Sequence, residues 1–276
     1  MAGKMIDSLS SAAEKRFGIK TDPGDIKKIQ EYLLQTHGGT DPEIIEKVFS
    51  SGEAAGFLTV SETYFFREGV HFNLLHDLLP SYEKTGLRLC CAAVASGCEA
   101  YSIAMLIESY NRSAVCPINY HIDAFDLNPK VIEAASRGVY SERTLREDGS
   151  SFRYMAAPYL EKDEDQYRIR EDLKKNIDFF VHNLMDTLPP QEYDIIFFRN
   201  AFIYFLPQYR ERVLSNLSAV TKEGGYLIMG VAETAGVDHA DFREINNLGG
   251  KDNYEVFYFY KAKAACESIY SRGIVL

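Results

Sequence analysis

Four separated segments set polar or charged residues against apolar runs: ETYFFRE from Glu62, VASGCEAYSIAM from Val94, FDLNP from Phe125 and YDIIFFRNAFIYF from Tyr193. Each ends residues that read as a strand, or opens residues that read as a helix, with side chains suited to gripping part of a nucleoside-like cofactor. Open α/β sheets bind ligands in the crevice beyond the carboxyl ends of their strands. Taken in this order, the four segments describe such a crevice.

Gly97 lies in the turn between the apolar run Leu87 to Ala95 and a helix. It allows close backbone approach, and the helix start offers N–H groups to an anion such as an amino-acid carboxylate. A single glycine there is more often turn geometry alone. Asp126 ends the next strand, where nucleotide-binding α/β folds place an acid for two ribose hydroxyls. The dinucleotide fingerprint lacks its other glycines here, which disfavours a nicotinamide cofactor. Capping of the helix at Pro129 fits Asn128 better than Asp126.

Asn183, in His182-Asn183-Leu184, can offer a donor and an acceptor to an adenine edge, or simply sit in a turn. Arg199 follows four apolar residues at a strand end, a costly place for charge unless it faces a crevice or partner. Tyr204 follows Asn200 by one helical turn, so the two can share a side, while Phe202 and Phe205 read as core. Thr63 and Arg67 also stand four apart, with Phe65 and Phe66 as anchors. The competing reading of Arg67 is an ion pair with Glu68 or Glu62.

The elements that must position these residues follow from the apolar pattern. Residues up to about Leu79 read as helices, with Ile26, Ile29 and Leu33 at helical spacing and breaks at Asp22-Pro23-Gly24, Gly38-Gly39 and Asp41-Pro42. After Gly86 come LRLCCAAVA, a helix over Ala100 to Asn111, and YHIDAFD, followed by IDFFVHNL, YDIIFFRN and YLIMGVAE. Apolar strands alternating with helices imply a parallel sheet covered on both faces. NYEVFYFYKA reads as a last, antiparallel edge strand. The polar stretch from Ser141 to Lys175 reads as an insertion with a small hairpin near Gln166.

At 276 residues, one main domain with an appendage is expected. A net charge of -10 argues against nucleic-acid binding. Five cysteines without a CxxC pair form neither a disulfide framework nor a zinc site, and the six histidines show no ligand spacing, so no metal is expected. The opening MAGKMIDSLSSAAEKRF lacks the apolar stretch of a signal peptide, and no apolar run is long enough to span a bilayer. A cytoplasmic protein without membrane insertion is expected.

Together ETYFFRE, GCEAYSIAM, NPKVIEAASRGVYSERTL and FFRNAFIYF resemble the CheR-type chemotaxis receptor methyltransferases, from about Leu58 to Tyr260. That resemblance implies an α/β fold: a Rossmann-like methyltransferase sheet over 81–276, a small helical N-terminal domain over 1–80, and a β-subdomain inserted at about 141–175. It implies transfer of a methyl group from S-adenosylmethionine, leaving S-adenosylhomocysteine, to glutamates of an acidic protein, a methyl-accepting chemoreceptor helix. The family's cofactor contacts fall on Thr63, Arg67, Glu99, Asp126, Asn183, Leu184, Arg199 and Asn200, with Ser61 where Asn is usual. Arg67 and Tyr204 take the places implicated in catalysis.

Besides Ser61, the pattern departs from the family in two places. Cys98 and Ala100 replace an acid and a proline in the turn, and Cys98 reads as a small neutral filler. The N-terminal module, where the family carries an arginine-rich docking helix, offers only Lys27 and Lys28. The arginines from Arg137 to Arg153 are the other source of a basic patch, although such residues are usually just solvated. The remaining alternatives are a methyltransferase with another acceptor, or a non-catalytic module that binds the cofactor or its product.

Overall fold

The computed structural model describes residues 2–145, 153–230, 232–233, 237–246 and 257–261. Helices α1 (Ala2–Phe17), α2 (Pro23–His37), α3 (Pro42–Ser50) and the short α4 (Ala55–Leu58) come first. The Asp22 side chain accepts from Gly24 N–H at 2.7 Å, and Pro23 fills the first turn of α2, so that helix starts where the sequence punctuates it. Ile26, Ile29 and Leu33 form its buried face.

A seven-stranded sheet follows. Its core is β1 (Leu87–Ala92), β2 (Tyr120–Asp126), β6 (Ile177–Val181), β7 (Tyr193–Phe198) and β8 (Thr221–Met229), all parallel. The spatial order is β6-β2-β1-β7-β8, continued by β10 (Phe257–Lys261) and β9 (Phe242–Asn246). Strand order reverses at β1, between β2 and β7, and a switch point of this kind opens a crevice at the strand ends. Asn128 caps α7 (Pro129–Arg137) by accepting from Lys130 N–H.

Odd and even strand residues feed two apolar layers. Leu89, Cys91, Ile122, Ala124, Ile195 and Phe197 pack with α5 (Val70–Leu78) and α6 (Cys98–Asn111) on one face. Cys90, Ala92, Phe125, Ile196 and Phe198 pack on the other with α10 (Pro207–Val220) and the apolar faces of α1 to α3. The N-terminal helices thus share a core with the sheet.

Two expectations need correction. The strand containing FYFYK is not the edge: β10 pairs antiparallel with β8 on one side and with β9 on the other. Its aromatic content already suits a two-sided position, and the more polar FREIN takes the exposed rim. The insertion is more than a hairpin. The hairpin of β4 (Leu160–Asp163) and β5 (Gln166–Ile169) is joined by β3 (Val139–Ser141), which pairs with β5 to make a three-stranded sheet. Short helices α8 (Arg153–Ala156) and α9 (Glu171–Lys174) flank the hairpin in sequence. Among the described residues, no helix is long and apolar enough to cross a membrane.

Candidate active site

The carboxyl ends of β1, β2, β6 and β7 meet the 58–67 segment and the end of α1 around one cleft of about 1030 Å³, open to solvent on one side. Of the residues singled out in the sequence, Ser61, Thr63, Arg67, Glu99, Asp126, Asn183, Leu184, Arg199, Asn200 and Tyr204 all line it.

Gly97 does not. It has φ +89, and a Cβ there would lie 2.8 Å from Ala135 Cβ and 3.2 Å from the Phe179 ring. Its missing side chain lets the turn press against α7 and β6, so the close approach it permits is internal packing.

Asp126 is buried, taking Ala95 N–H at 2.9 Å on one oxygen and Asn128 N–H at 3.0 Å on the other. Burial pushes its carboxyl up, against the pull of those backbone donors. Held by these backbone donors, the carboxylate lines the cleft as an anchored pair of acceptor oxygens, the kind of group that takes vicinal hydroxyls.

Arg199, with a side chain only 2% exposed, sits between two acids. Its Nη1 donates to Glu99 at 2.7 Å, and its Nη2 donates to the Arg67 carbonyl at 2.5 Å and to Glu68 at 3.3 Å. Its Nε–H has no partner among the described residues. Burial holds the Glu99 carboxyl above the usual range. Glu68, where burial is outweighed by the Arg199 charge and the Asn200 bond, lies below it. Behind Glu68, burial and the Arg199 charge push the imidazole of His71 down to about 3, so it is neutral.

Arg67 is half-exposed. It donates to the Glu62 carbonyl at 3.1 Å and stands 4.0 Å from Glu68, so the ion pair considered for it is a long one. Phe65 and Phe66 are buried, as expected of anchors. Tyr204 occupies the turn Phe202–Tyr204 and is 41% exposed, while Phe202 and Phe205 are buried. Cys98 is fully buried, and burial pushes its thiol up to about 12, which suits an inert filler.

Backbone strain concentrates here. Phe66, Glu68, Ala93, Ala95 and Asn200 have φ between +52° and +60°, and among the described residues only Glu164 joins them as a non-glycine with positive φ. Such conformations cost about 1–3 kcal/mol each and persist where surrounding structure enforces them.

Sequence reasoning missed the wall made by Phe17 and Ile19, which line the cleft. Asn183 turns out to serve that wall: its Nδ2 donates to the Arg16 carbonyl at 2.8 Å, and its Oδ1 takes Met185 N–H. One N–H and one acceptor direction of the carboxamide are thus engaged with the protein, while Asn183 still lines the cleft. Lys20 N–H donates to the Tyr204 carbonyl, Leu206 N–H to the Gly18 carbonyl, and Arg16 clasps Asp186 at 2.8 and 2.9 Å. Glu68 and Glu233 were also missed. Glu233 ends the apolar run YLIMGVAE, the same signal that singled out Arg199.

One grouping invisible in chain spacing lies outside the cleft. His121, Asp123 and Asp178 gather their ligand atoms within 4.8 Å, because parallel register sets Asp123 beside Asp178. Arg88 pairs with Asp123 at 3.0 Å and supplies the compensating charge.

The family model described as CheR methyltransferase, SAM binding domain, matches residues 61–248. A chemotaxis protein methyltransferase of Borreliella burgdorferi is 31% identical over 64% of this chain and 65% of its own length. One from Vibrio parahaemolyticus is 32% identical over 66% of this chain and 67% of its own. Among solved structures, an N-methyltransferase from Bradyrhizobium japonicum in complex with S-adenosyl-L-homocysteine is similar at 12% identity and a TM-score of 0.42. That likeness covers 72% of this chain and 89% of that one.

Proposed function

The chain belongs to the CheR methyltransferase family, and on that premise we propose that it moves a methyl group from S-adenosylmethionine to glutamate carboxylates of a chemoreceptor or related signalling protein. The products are glutamate methyl esters and S-adenosylhomocysteine. The observation that carries this reading is convergence: residues from four strand ends and the 61–67 segment, Arg67 and Tyr204 among them, line one cleft.

The donor set fits the cofactor. Asp126 offers two fixed oxygens to ribose hydroxyls. The unpartnered Nε–H of Arg199 suits an amino-acid carboxylate, and Glu99, already neutralised by Arg199, can accept from an ammonium group. When bound, the cofactor supplies a methyl group made electrophilic by its sulfonium. A glutamate carboxylate is ionised at neutral pH, so no side chain need act as a strong base. Arg67 holds the incoming carboxylate or the cofactor's charged portion, and Tyr204 positions the methyl group and excludes water. Positioning of this kind can lower a barrier by about 7–11 kcal/mol.

A second reading, the same chemistry on another protein carboxylate, is favoured by one observation. Both lysines of α2 are taken by acids of their own helix, Lys28 by Asp25 at 2.8 Å and Lys27 by Glu31 at 3.9 Å. The test is incubation with methyl-labelled cofactor and lysate. Base-labile label on protein is the expected result, and its absence points to a non-catalytic binder. Identifying the labelled protein separates the two acceptors.

A further inference from the structure

Glu233 is almost fully buried, at 3% exposure, and does not line the cleft. Its Oε2 accepts Asn200 N–H at 2.6 Å and Gly230 N–H at 3.0 Å, and its Oε1 accepts Ile203 N–H at 3.3 Å. One carboxylate therefore ties the end of β8 to the loop after β7, the loop that carries both Asn200 and Tyr204. A buried acid is costly unless surrounded by donors, and bonds from N–H groups to an ionised acceptor are roughly twice as strong as neutral ones.

The attachment is tightly specified. Asn200 has φ +57, a conformation that must be enforced. A Cβ on Gly230 would fall 2.6 Å from Glu233 Oε2 and 3.0 Å from Asn200 Nδ2, so residue 230 must be small for the carboxylate to reach. From the other side, Glu68 holds the Asn200 carboxamide at 2.9 Å. Two carboxylates thus fix one residue, Glu68 through its side chain and Glu233 through its backbone.

We propose that Glu233 is a positioning residue for methyl transfer, setting the Asn200 to Tyr204 loop from behind while touching neither cofactor nor acceptor. This rests on the methyltransferase reading above. Removing its charge should misplace Tyr204 without emptying the cofactor site, because Asp126, Glu99 and Arg67 are held by other contacts and the Asn200 carboxamide keeps its bond to Glu68.

The test compares Glu233→Gln, which turns an amide donor toward N–H groups, with Glu233→Asp, which keeps the charge one methylene short. For Glu233→Gln, kcat is expected to fall about 10²-fold, the scale of an ångström-sized misplacement. S-adenosylhomocysteine affinity by calorimetry should stay within about twofold, and Glu233→Asp should fall between. Amide hydrogen exchange should quicken at 200–204 and stay unchanged in α6. Wild-type kcat in both variants overturns the proposal, as does product affinity falling in step with kcat, or failure of both to fold. If the wild-type protein labels no acceptor, the methyl-transfer reading fails by itself. The exchange at 200–204 still shows whether Glu233 sets this loop.

Discussion

The cleft has two unlike walls. One is made of strand ends and is held by buried charge: Arg199 lies between Glu68 and Glu99, Asp126 is fixed by two backbone donors, and Asn200 is gripped by Glu68 and Glu233. The other is the end of α1, where Phe17 and Ile19 lie over the cleft. It is held by backbone bonds at Gly18 and Lys20, the Asn183 carboxamide and a partly exposed Arg16–Asp186 pair. In the first wall, where most of these charges are buried, losing one partner strands the other, which opposes displacement. The second can loosen without leaving a buried charge behind. The first wall can therefore set reacting groups, while the second encloses.

The largest effect should follow from cutting a group that, in the reading proposed above, meets the acceptor beside the first wall. Arg67→Ala removes a half-exposed side chain that donates to the Glu62 carbonyl, lies over the Tyr64 ring and stands 4.0 Å from Glu68. Turnover should fall by about 10²–10³-fold, the loss of a single preorganised charge at a reacting centre. Unfolding free energy should shift by only about 0.5 kcal/mol, as for a surface substitution. Labelled methyl transfer and thermal melting measure the two. Normal methyl transfer would remove Arg67 from the chemistry and blur the contrast between the walls.

Gly18→Ala should show the opposite pattern. Gly18 has φ +73, and an added Cβ would lie 2.4 Å from Met185 Sδ, so the turn that carries Ile19 must shift. Strain of about 1–3 kcal/mol is expected in the fold, with S-adenosylhomocysteine bound about tenfold more weakly. At saturating cofactor, kcat should hold within about threefold, since Arg67 and Tyr204 keep their other supports. Unchanged affinity would mean that the α1 end covers the cleft without contributing to it.

The two walls also differ in how far they can be read from the chain. In the first, several cleft residues interrupt or follow an apolar run at a strand end, and an ionisable group in such a place demands a partner or a ligand. Arg199, Asp126 and Asn200 are visible for that reason, and Glu233 could have been found by the same rule. In the second, Phe17 and Ile19 are apolar residues in an amphipathic helix and the turn after it, and nothing local separates a wall residue from a core residue. Asn183 is legible as a polar residue at a strand end, but its amide suits an adenine edge and a helix carbonyl equally, and only the fold brings Arg16 to it. The sheet's parallel part follows from its apolar strands. The inner place of β10 does not, because antiparallel pairing with β9 depends on chain-distant register.

The smallest effect is expected farthest from the chemistry, on α2, where the resemblance implies a basic helix that docks an acidic acceptor. Lys27 and Lys28 are 68% and 63% exposed, and their acidic partners Glu31 and Asp25 lie on the same helix, so α2 presents little net positive field. Surface pairs of this kind contribute about 0–1 kcal/mol and are screened by salt. Replacing both lysines with alanine should therefore change the acceptor KM by less than about twofold, with no change in its salt dependence. Initial rates on the acceptor identified by labelling, at low and high ionic strength, measure this. A tenfold rise in KM that vanishes at high salt would make α2 an acceptor-docking element after all. Recognition would then belong to the N-terminal side of the molecule as much as chemistry belongs to the strand ends, and the second wall would be more than a cover.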